Sequence, residues 1–326
     1  MRKHSMIFLL FCLCRLTATA QQDPQFSQYM FNSLIINPAY AGYKEELNVS
    51  LLHRNQWVGL PGSPKSQTII IDGAFFSNNN VGLGLSIIND KIGLQSQTAA
   101  YANYSYRVPM GENSRLAFGL ALGVSKYSLN ASGANIDDPN DPNFMNGNQN
   151  YMAPDGKFGI HFSNEKLYAG ASVTNLISES LNYQRTGKDV IARQGKHFFL
   201  TAGYLANITE NVKFKPSIMF REDTKGPTNL DLNAFFLFKD AVWVGASYRS
   251  GLNLWTKADM EATTFKKNAV VGMVEMYFAK NYRLGYAYDY SLSALGDYTN
   301  GTHEISLGFV INNNKKVTAM PTPRYF

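Results

Sequence analysis

Apolar residues alternate with small or polar ones along most of the chain. In the run Tyr282–Leu292, the residues Tyr282, Leu284, Tyr286, Tyr288 and Tyr290 share one face, and Arg283, Gly285, Ala287 and Asp289 share the other. Thr302–Ile311 repeats the pattern, with Ile305, Leu307, Phe309 and Ile311 set against Glu304, Ser306 and Gly308. A period of two marks a strand whose faces meet unlike surroundings. In Arg115–Leu129, Arg115, Ala117, Gly119, Ala121 and Gly123 oppose Leu116, Phe118, Leu120, Leu122 and Val124. Likewise Gly82, Gly84 and Ser86 oppose Val81, Leu83, Leu85 and Ile87. The apolar set is expected to face lipid and the small or polar set a lumen. The tyrosine face of Tyr282–Tyr290 suits either side, because Tyr has an apolar body and a polar tip.

Reading the same period along the chain gives about fourteen strands, with limits good to two to four residues. They are Glu46–Trp57, Ser66–Phe76, Val81–Asp90, Gln95–Val108, Arg115–Leu129, Lys157–Ser163, Lys166–Thr174, Lys196–Ile208, Asn211–Arg221, Asn229–Phe238, Val242–Ser250, Asn268–Ala279, Tyr282–Leu292 and Thr302–Ile311. Short connections alternate with long ones. Ser77–Asn80, Pro109–Ser114, Asn164–Glu165, Thr209–Glu210, Lys239–Ala241 and Lys280–Asn281 are short. Val58–Lys65, Ala131–Gly156, Asn175–Gly195, Glu222–Thr228, Gly251–Lys267 and Ser293–Gly301 are longer; Lys91–Leu94 alone is short on the long side. Sorting by parity is the habit of an outer-membrane barrel with tight periplasmic turns and long external loops. The expected fold class is all-β: a transmembrane outer-membrane β-barrel of about fourteen antiparallel strands over residues 46–312. An even count puts both chain ends in the periplasm.

Composition agrees. The chain holds 21 Phe, 19 Tyr and 3 Trp in 326 residues, a load that suits strands and membrane interfaces. Beyond the N-terminus there is no apolar run near the roughly 18 residues of a spanning helix. Residues 1–20 read as a signal peptide: a basic start at Arg2 and Lys3, an apolar Met6–Leu13, and Ala18-Thr19-Ala20 before cleavage after Ala20. Cleavage lowers the net charge of +6 by three and removes Cys12 and Cys14, the only cysteines. That leaves too little positive charge to argue for nucleic acid, and no disulfide framework.

Residues 21–45 are polar and aromatic without a clear period, and Pro24 and Pro38 exclude one continuous helix. They are expected as a periplasmic N-terminal segment that docks a partner or plugs the lumen. Residues 313–326 contain Pro321 and Pro323, which cannot extend a ladder, and are expected as a periplasmic tail.

The chain offers little chemistry. His53, His161, His197 and His303 stand in no zinc spacing and read as lumen-facing polar side chains. There is no G-x-S-x-G. Ser163-Asn164-Glu165-Lys166 matches S-x-x-K but falls on a tight turn. Asp137, Asp138, Asn140, Asp141 and Asn143 make an oxygen-rich loop, but the spacing is not that of an EF-hand, and Pro139 and Pro142 interrupt it. It reads as a solvated loop. No catalytic, cofactor-binding or metal-binding residue is expected.

Several stretches resemble one family. Asp23-Pro24-Gln25-Phe26-Ser27-Gln28-Tyr29, Asn37-Pro38-Ala39-Tyr40-Ala41-Gly42 and Arg54-Asn55-Gln56-Trp57 resemble the PorP/SprF family of type IX secretion membrane proteins. So do Val81-Gly82-Leu83-Gly84, Tyr286-Ala287-Tyr288-Asp289-Tyr290-Ser291, Gly301-Thr302-His303-Glu304-Ile305-Ser306-Leu307-Gly308 and the closing Pro323-Arg324-Tyr325-Phe326. The resemblance implies a non-enzymatic outer-membrane barrel that serves a protein-export and gliding machine. PorP-like members are associated with its periplasmic ring and motor. SprF-like members receive the C-terminal domain of a secreted adhesin at the surface. The candidate partner contacts are Phe26, Gln28, Tyr29, Phe31, Asn37, Pro38, Tyr40 and Tyr43 in the N-terminal segment, and Arg324, Tyr325 and Phe326 at the end. The competing reading is a passive porin or a transporter of hydrophobic compounds.

The purified mature chain should stay dispersed only in detergent, give a β-rich circular dichroism spectrum, and migrate differently in gels before and after boiling. A detergent-free soluble chain or a mainly helical spectrum would refute the barrel.

Overall fold

The structure, a computed structural model, describes residues 24–75, 79–130, 148–177, 195–223, 226–252, 266–279 and 281–311. The strands are β1 (Leu47–Asn55), β2 (Lys65–Phe75), β3 (Val81–Ile92), β4 (Gln95–Pro109), β5 (Arg115–Leu129), β6 (Gln149–Ser163), β7 (Leu167–Thr174) and β8 (His197–Tyr204). They continue as β9 (Ala206–Thr209), β10 (Val212–Asp223), β11 (Thr228–Phe238), β12 (Val242–Leu252), β13 (Lys266–Phe278), β14 (Tyr282–Ser291) and β15 (Thr302–Ile311). Apart from β8 and β9, which both pair with β10, each pairs antiparallel with its neighbours in sequence, and β1 pairs with β15, from Leu47 opposite Ile311 to Asn55 opposite His303. The sheet therefore closes and has no free lateral edge.

β8 and β9 are two halves of one stave, both paired with β10, so the wall has fourteen staves. The break falls at Leu205, whose N–H donates to Lys166 O at 2.6 Å. Pro216 of β10 lies opposite the gap and has no N–H to complete the ladder there. The other departure from the pattern is β6. It starts at Gln149 rather than near Lys157, and Gln149–Gly156 pairs with Leu122–Leu129 of β5. Pro154, Asp155 and Gly156 have poor strand propensity, so the pairing is imposed by the partner strand. At the long-loop end β3 and β4 are joined by Gly93 and Leu94 alone; Gly93 takes φ +55°, and its N–H donates to Gly62 O.

The wall sorts its side chains as the alternation requires. Leu51, Ile69, Ile71, Leu83, Leu85, Phe118, Leu120, Leu122, Val124, Leu307 and many like them are exposed on the outside. So are Tyr282, Leu284, Tyr286 and Tyr290, which settles that face as the lipid side. Near the short-turn end Phe214 and Phe236 (4.8 Å), Phe278 and Tyr282 (5.5 Å), and Tyr282 and Phe309 (5.0 Å) pack ring against ring. Such rings form the girdle of a membrane barrel. The inner face carries Asn48, Ser50, Arg54, Asp72, Ser105, Arg107, Lys157, Arg249, Arg283, Asp289 and Glu304, all buried.

What buries them is residues 24–46. This segment runs inside the wall as an irregular chain with two 3-10 turns, Ser33–Ile35 and Pro38–Tyr40. The core of the molecule is the contact between this segment and the inner face: Phe26, Tyr29, Met30, Phe31, Leu34, Tyr40 and Tyr43 with Leu52, Ile70, Phe199, Phe235, Leu237, Trp243 and Val271.

An arginine at Leu122, in the middle of the outer face, should cost roughly 2–4 kcal/mol in unfolding from lipid vesicles; at Tyr290, near the rim, the cost should be about 0–1 kcal/mol. Equal costs at the two positions would mean that the outer face does not cross a bilayer.

Candidate functional site

The segment inside the barrel is the most elaborate construction in the molecule. Its lower part is built on Asn37-Pro38-Ala39-Tyr40-Ala41-Gly42. The Asn37 side chain accepts a hydrogen bond from Ala39 N at 2.9 Å and caps a 3-10 turn that starts on Pro38. Proline suits this place because its fixed φ is already helical and its missing N–H is not needed. The Asn37 amide also donates to Ile160 O of β6 at 3.0 Å, which pins the turn to the wall. Gly42, at φ +64°, ends the motif; its N–H donates to Asp72 at 2.9 Å, and a side chain there would run into the Gly73 backbone.

The wall makes room for this turn with glycines. A methyl group at Gly82 would overlap Ala41 O, one at Gly119 would overlap Pro38 and Ala39, and one at Gly159 would overlap Asn37. The small lumen-side residues of β3, β5 and β6 are thus a cradle for a backbone that lies directly on the sheet.

Polar wall residues then serve the segment's main chain. Lys157 Nζ donates to Ile35 O (3.1 Å), Ser172 Oγ to Ile36 O (2.7 Å) and Ser105 Oγ to Ala41 O (2.7 Å). Arg107 donates to Gly42 O, and Arg283 to Phe31 O at 3.3 Å. Each such bond contributes about 1 kcal/mol net, and each carbonyl left bare would cost about 1–3 kcal/mol. Aromatic contacts fill the remaining space. Phe31 packs against Phe235 and Trp243, under the Lys215 ammonium, which sits 5.3 Å and 4.7 Å from the Phe31 and Trp243 rings. Tyr40 lies 4.1 Å from the His161 ring, and Tyr43 lies 5.2 Å from it.

At the other end of the segment is a charged latch. Arg54 pairs with Asp289 (2.7 Å) and Glu304 (2.9 Å), and Arg249 reaches both Asp231 (3.1 Å) and Asp289 (3.5 Å). Ser27 Oγ donates to Asp289 and accepts from Arg54. The N–H groups of Ser27 and Gln28 both donate to Glu304, at 2.9 and 2.7 Å. Removing one partner of such a buried pair costs about 3–5 kcal/mol, so these groups depend on one another. Four of the stretches singled out in the sequence meet here, one through each of Ser27, Arg54, Asp289 and Glu304.

Of the candidate partner contacts, Phe26, Gln28, Tyr29, Phe31, Asn37, Pro38, Tyr40 and Tyr43 are all buried in the lumen. Their side chains are engaged by the wall: Tyr29 OH accepts from Asn233 at 2.7 Å, and Gln28 bridges Glu304 O and Ser306 Oγ. Arg324, Tyr325 and Phe326 lie outside the described residues, as do residues 1–20, expected as a signal peptide, the stretch 313–326 and the stretch Asp137–Asn143. Among the described residues, two histidines face the lumen, His161 and His197. His53 and His303 face outward, and His303 Nδ1 lies 2.7 Å from Tyr286 OH. A ring that packs at the lipid–water boundary needs no lumen partner. Ser163 faces inward while Lys166 is exposed on the turn, so the S-x-x-K match assembles nothing. The glycine cradle and the latch went unrecognised as sites. Their trace in the sequence is glycines and charges on the non-lipid face of strands, several of them inside the stretches that carry the family resemblance.

Fold and site together define an outer-membrane β-barrel filled by its own N-terminal segment. The family described as type IX secretion system membrane protein PorP/SprF matches residues 18–309, and the chain belongs to it. Among solved structures, the Acinetobacter baumannii outer membrane protein Omp33 is similar at 9% identity and a TM-score of 0.45, over 82% of this chain and 98% of that one. A mutant Rh. blastica porin is similar at 11% identity and a TM-score of 0.35, over 81% of this chain and 99% of that one. No curated protein shows a significant match.

Gly119→Val should expel the segment from its cradle. Residues 24–45 should become open to protease while the barrel keeps its heat-dependent migration. Gly272→Ala, where an added methyl group meets nothing within 4 Å, should change neither property. Unchanged protease resistance of Gly119→Val would dismiss the cradle.

Proposed function

We propose that the chain is a non-enzymatic component of the type IX secretion machinery, and that it holds protein partners at the outer membrane rather than conducting solutes. The observation that supports this most is the filled lumen. Three spaces beside the segment, lined by described residues, are small: about 40 Å³ next to Phe26 and Ile35, about 20 Å³ next to Tyr40 and Asp72, and about 10 Å³ next to Gln28 and Glu275. Spaces of that size hold a few waters. Solute passage would require the segment to leave, against its hydrogen bonds and ion pairs.

The two ends offer different surfaces. At the long-loop end, loops 56–64 and 292–301 are tied together: Val58 and the pair Asn300 and Gly301 exchange backbone hydrogen bonds (2.7 and 2.8 Å), and Trp57 N donates to Thr302 Oγ1 (3.1 Å). This braced mouth suits reception of a secreted adhesin's C-terminal domain. At the short-turn end, Glu45–Arg115 and Lys213–Asp240 pair across neighbouring elements. That end, with the tail carrying Arg324, Tyr325 and Phe326, is suited to a periplasmic ring component. In this reading Phe26, Gln28, Tyr29, Phe31, Asn37, Pro38, Tyr40 and Tyr43 act from within, by setting the shape that the partners meet.

In planar bilayers the intact protein should be sealed. Deletion of residues 21–43 should leave a heat-modifiable barrel that conducts and no longer co-purifies with its secretion partners. Steady current through the intact protein would favour the passive porin instead, and retained co-purification after deletion would remove the segment from partner binding.

A further inference from the structure

The buried segment has a direction. β1 starts at Leu47, at the short-turn end of the barrel. Just before it, Glu45 pairs with Arg115 and accepts from Asn79, both beside short turns. Gly42 and Ala41 are held by Asp72, Arg107 and Ser105, in the same half of β2 and β4. Ile35 and Ile36 are held halfway up β6 and β7, by Lys157 and Ser172. The chain dips at Phe31 toward Trp243, then rises again. Ser27 and Gln28 meet Arg54, Asp289 and Glu304. These stand at the long-loop ends of β1, β14 and β15, beside Asn55, Ser291 and Thr302. Phe26 and Pro24 line the 40 Å³ space with Asp90, Gln97, Thr174 and Asn175, at the long-loop ends of β3, β4 and β7. Pro24 is half-exposed there.

We infer that the segment threads the barrel from end to end, so that Pro24 opens at the long-loop, extracellular mouth although β1 begins at the periplasmic end. The strand parity that puts the start of β1 in the periplasm does not govern the chain before it. The latch at Ser27 and Gln28 then lies just beneath the outer surface. A polypeptide arriving from outside meets it, and a periplasmic component does not. The nature of that partner rests on the proposed function; the direction of the chain does not. A continuous main chain also links this latch to Gly42 and Glu45 at the periplasmic end. Displacement of one end therefore bears on the other.

Residues 21–326 contain no cysteine, so single cysteines report position cleanly. The full-length protein would be labelled in cells with a membrane-impermeant maleimide. Tyr298→Cys, on the exposed long loop, marks the outer end, and Glu112→Cys, on an exposed short turn, marks the inner one. Pro24→Cys should label on intact cells together with Tyr298→Cys, while Glu112→Cys labels only after the outer membrane is permeabilised. Labelling of Pro24→Cys only alongside Glu112→Cys would overturn the inference, as would a Tyr298→Cys that needs permeabilisation. If Pro24→Cys resists the reagent in both states, an epitope inserted between Asp23 and Pro24 decides. Antibody binding on intact cells supports the threading; binding only after permeabilisation, or only after denaturation, refutes it. None of these readouts involves a secretion partner, so they can fail or succeed independently of the co-purification test.

Discussion

An irregular backbone enclosed at membrane depth must have its N–H and C=O groups met by the wall around it. That constraint explains most of what is unusual here. Residues 24–46 make no sheet; turns such as Phe31 N–H to Gln28 O, Tyr43 N–H to Tyr40 O and Glu45 N–H to Gly42 O pair part of their backbone internally, and the rest falls to the wall. The barrel compensates with side chains placed at particular backbone groups: Lys157, Ser172, Ser105, Arg107 and Arg283 donate to carbonyls, and Asp72 and Glu304 accept from N–H groups. These residues would be costly in a wall facing an apolar core, and unspecific in a wall facing water.

The two faces of the sheet therefore answer to different rules. The outer face needs only to be apolar, with aromatic rings near the rims, and many residues satisfy it interchangeably. The inner face is matched atom to atom to one segment. Gly82 and Gly119 are glycine because the main chain of Pro38–Ala41 lies where a methyl group would be, and Gly159 because the Asn37 side chain does. Arg54 sits opposite Asp289 and Glu304 because all three converge on Ser27 and Gln28. This makes the lumen segment part of the fold's core.

The strand pattern was legible because lipid demands it residue by residue. The alternation in Arg115–Leu129 and Thr302–Ile311 survives unchanged in β5 and β15. It failed where local preference and pairing disagree. Gln149–Gly156 carries Pro154 and Gly156 and looks like loop, yet β5 supplies a complete partner edge and the ladder forms. At Leu205 the reverse holds: the sequence reads as one continuous strand, and Pro216 across the way interrupts it. The tyrosine face of β14 was undecidable from residue type alone, because Tyr tolerates both surroundings.

By itself the sequence determined a closed sheet with lipid outside, since a period of two joined to connections that alternate short and long is the pattern of an outer-membrane barrel, and it marked the N-terminal stretch as special through its residues. Only the tertiary structure decided where that stretch lies and what it touches. Ser27, Arg54, Asp289 and Glu304 are separated by up to 277 residues, and no local signal says that they touch. Contacts of that kind arise from the curvature and register of a closed barrel, which brings the far ends of the chain to one place and turns its scattered charges into a single latch.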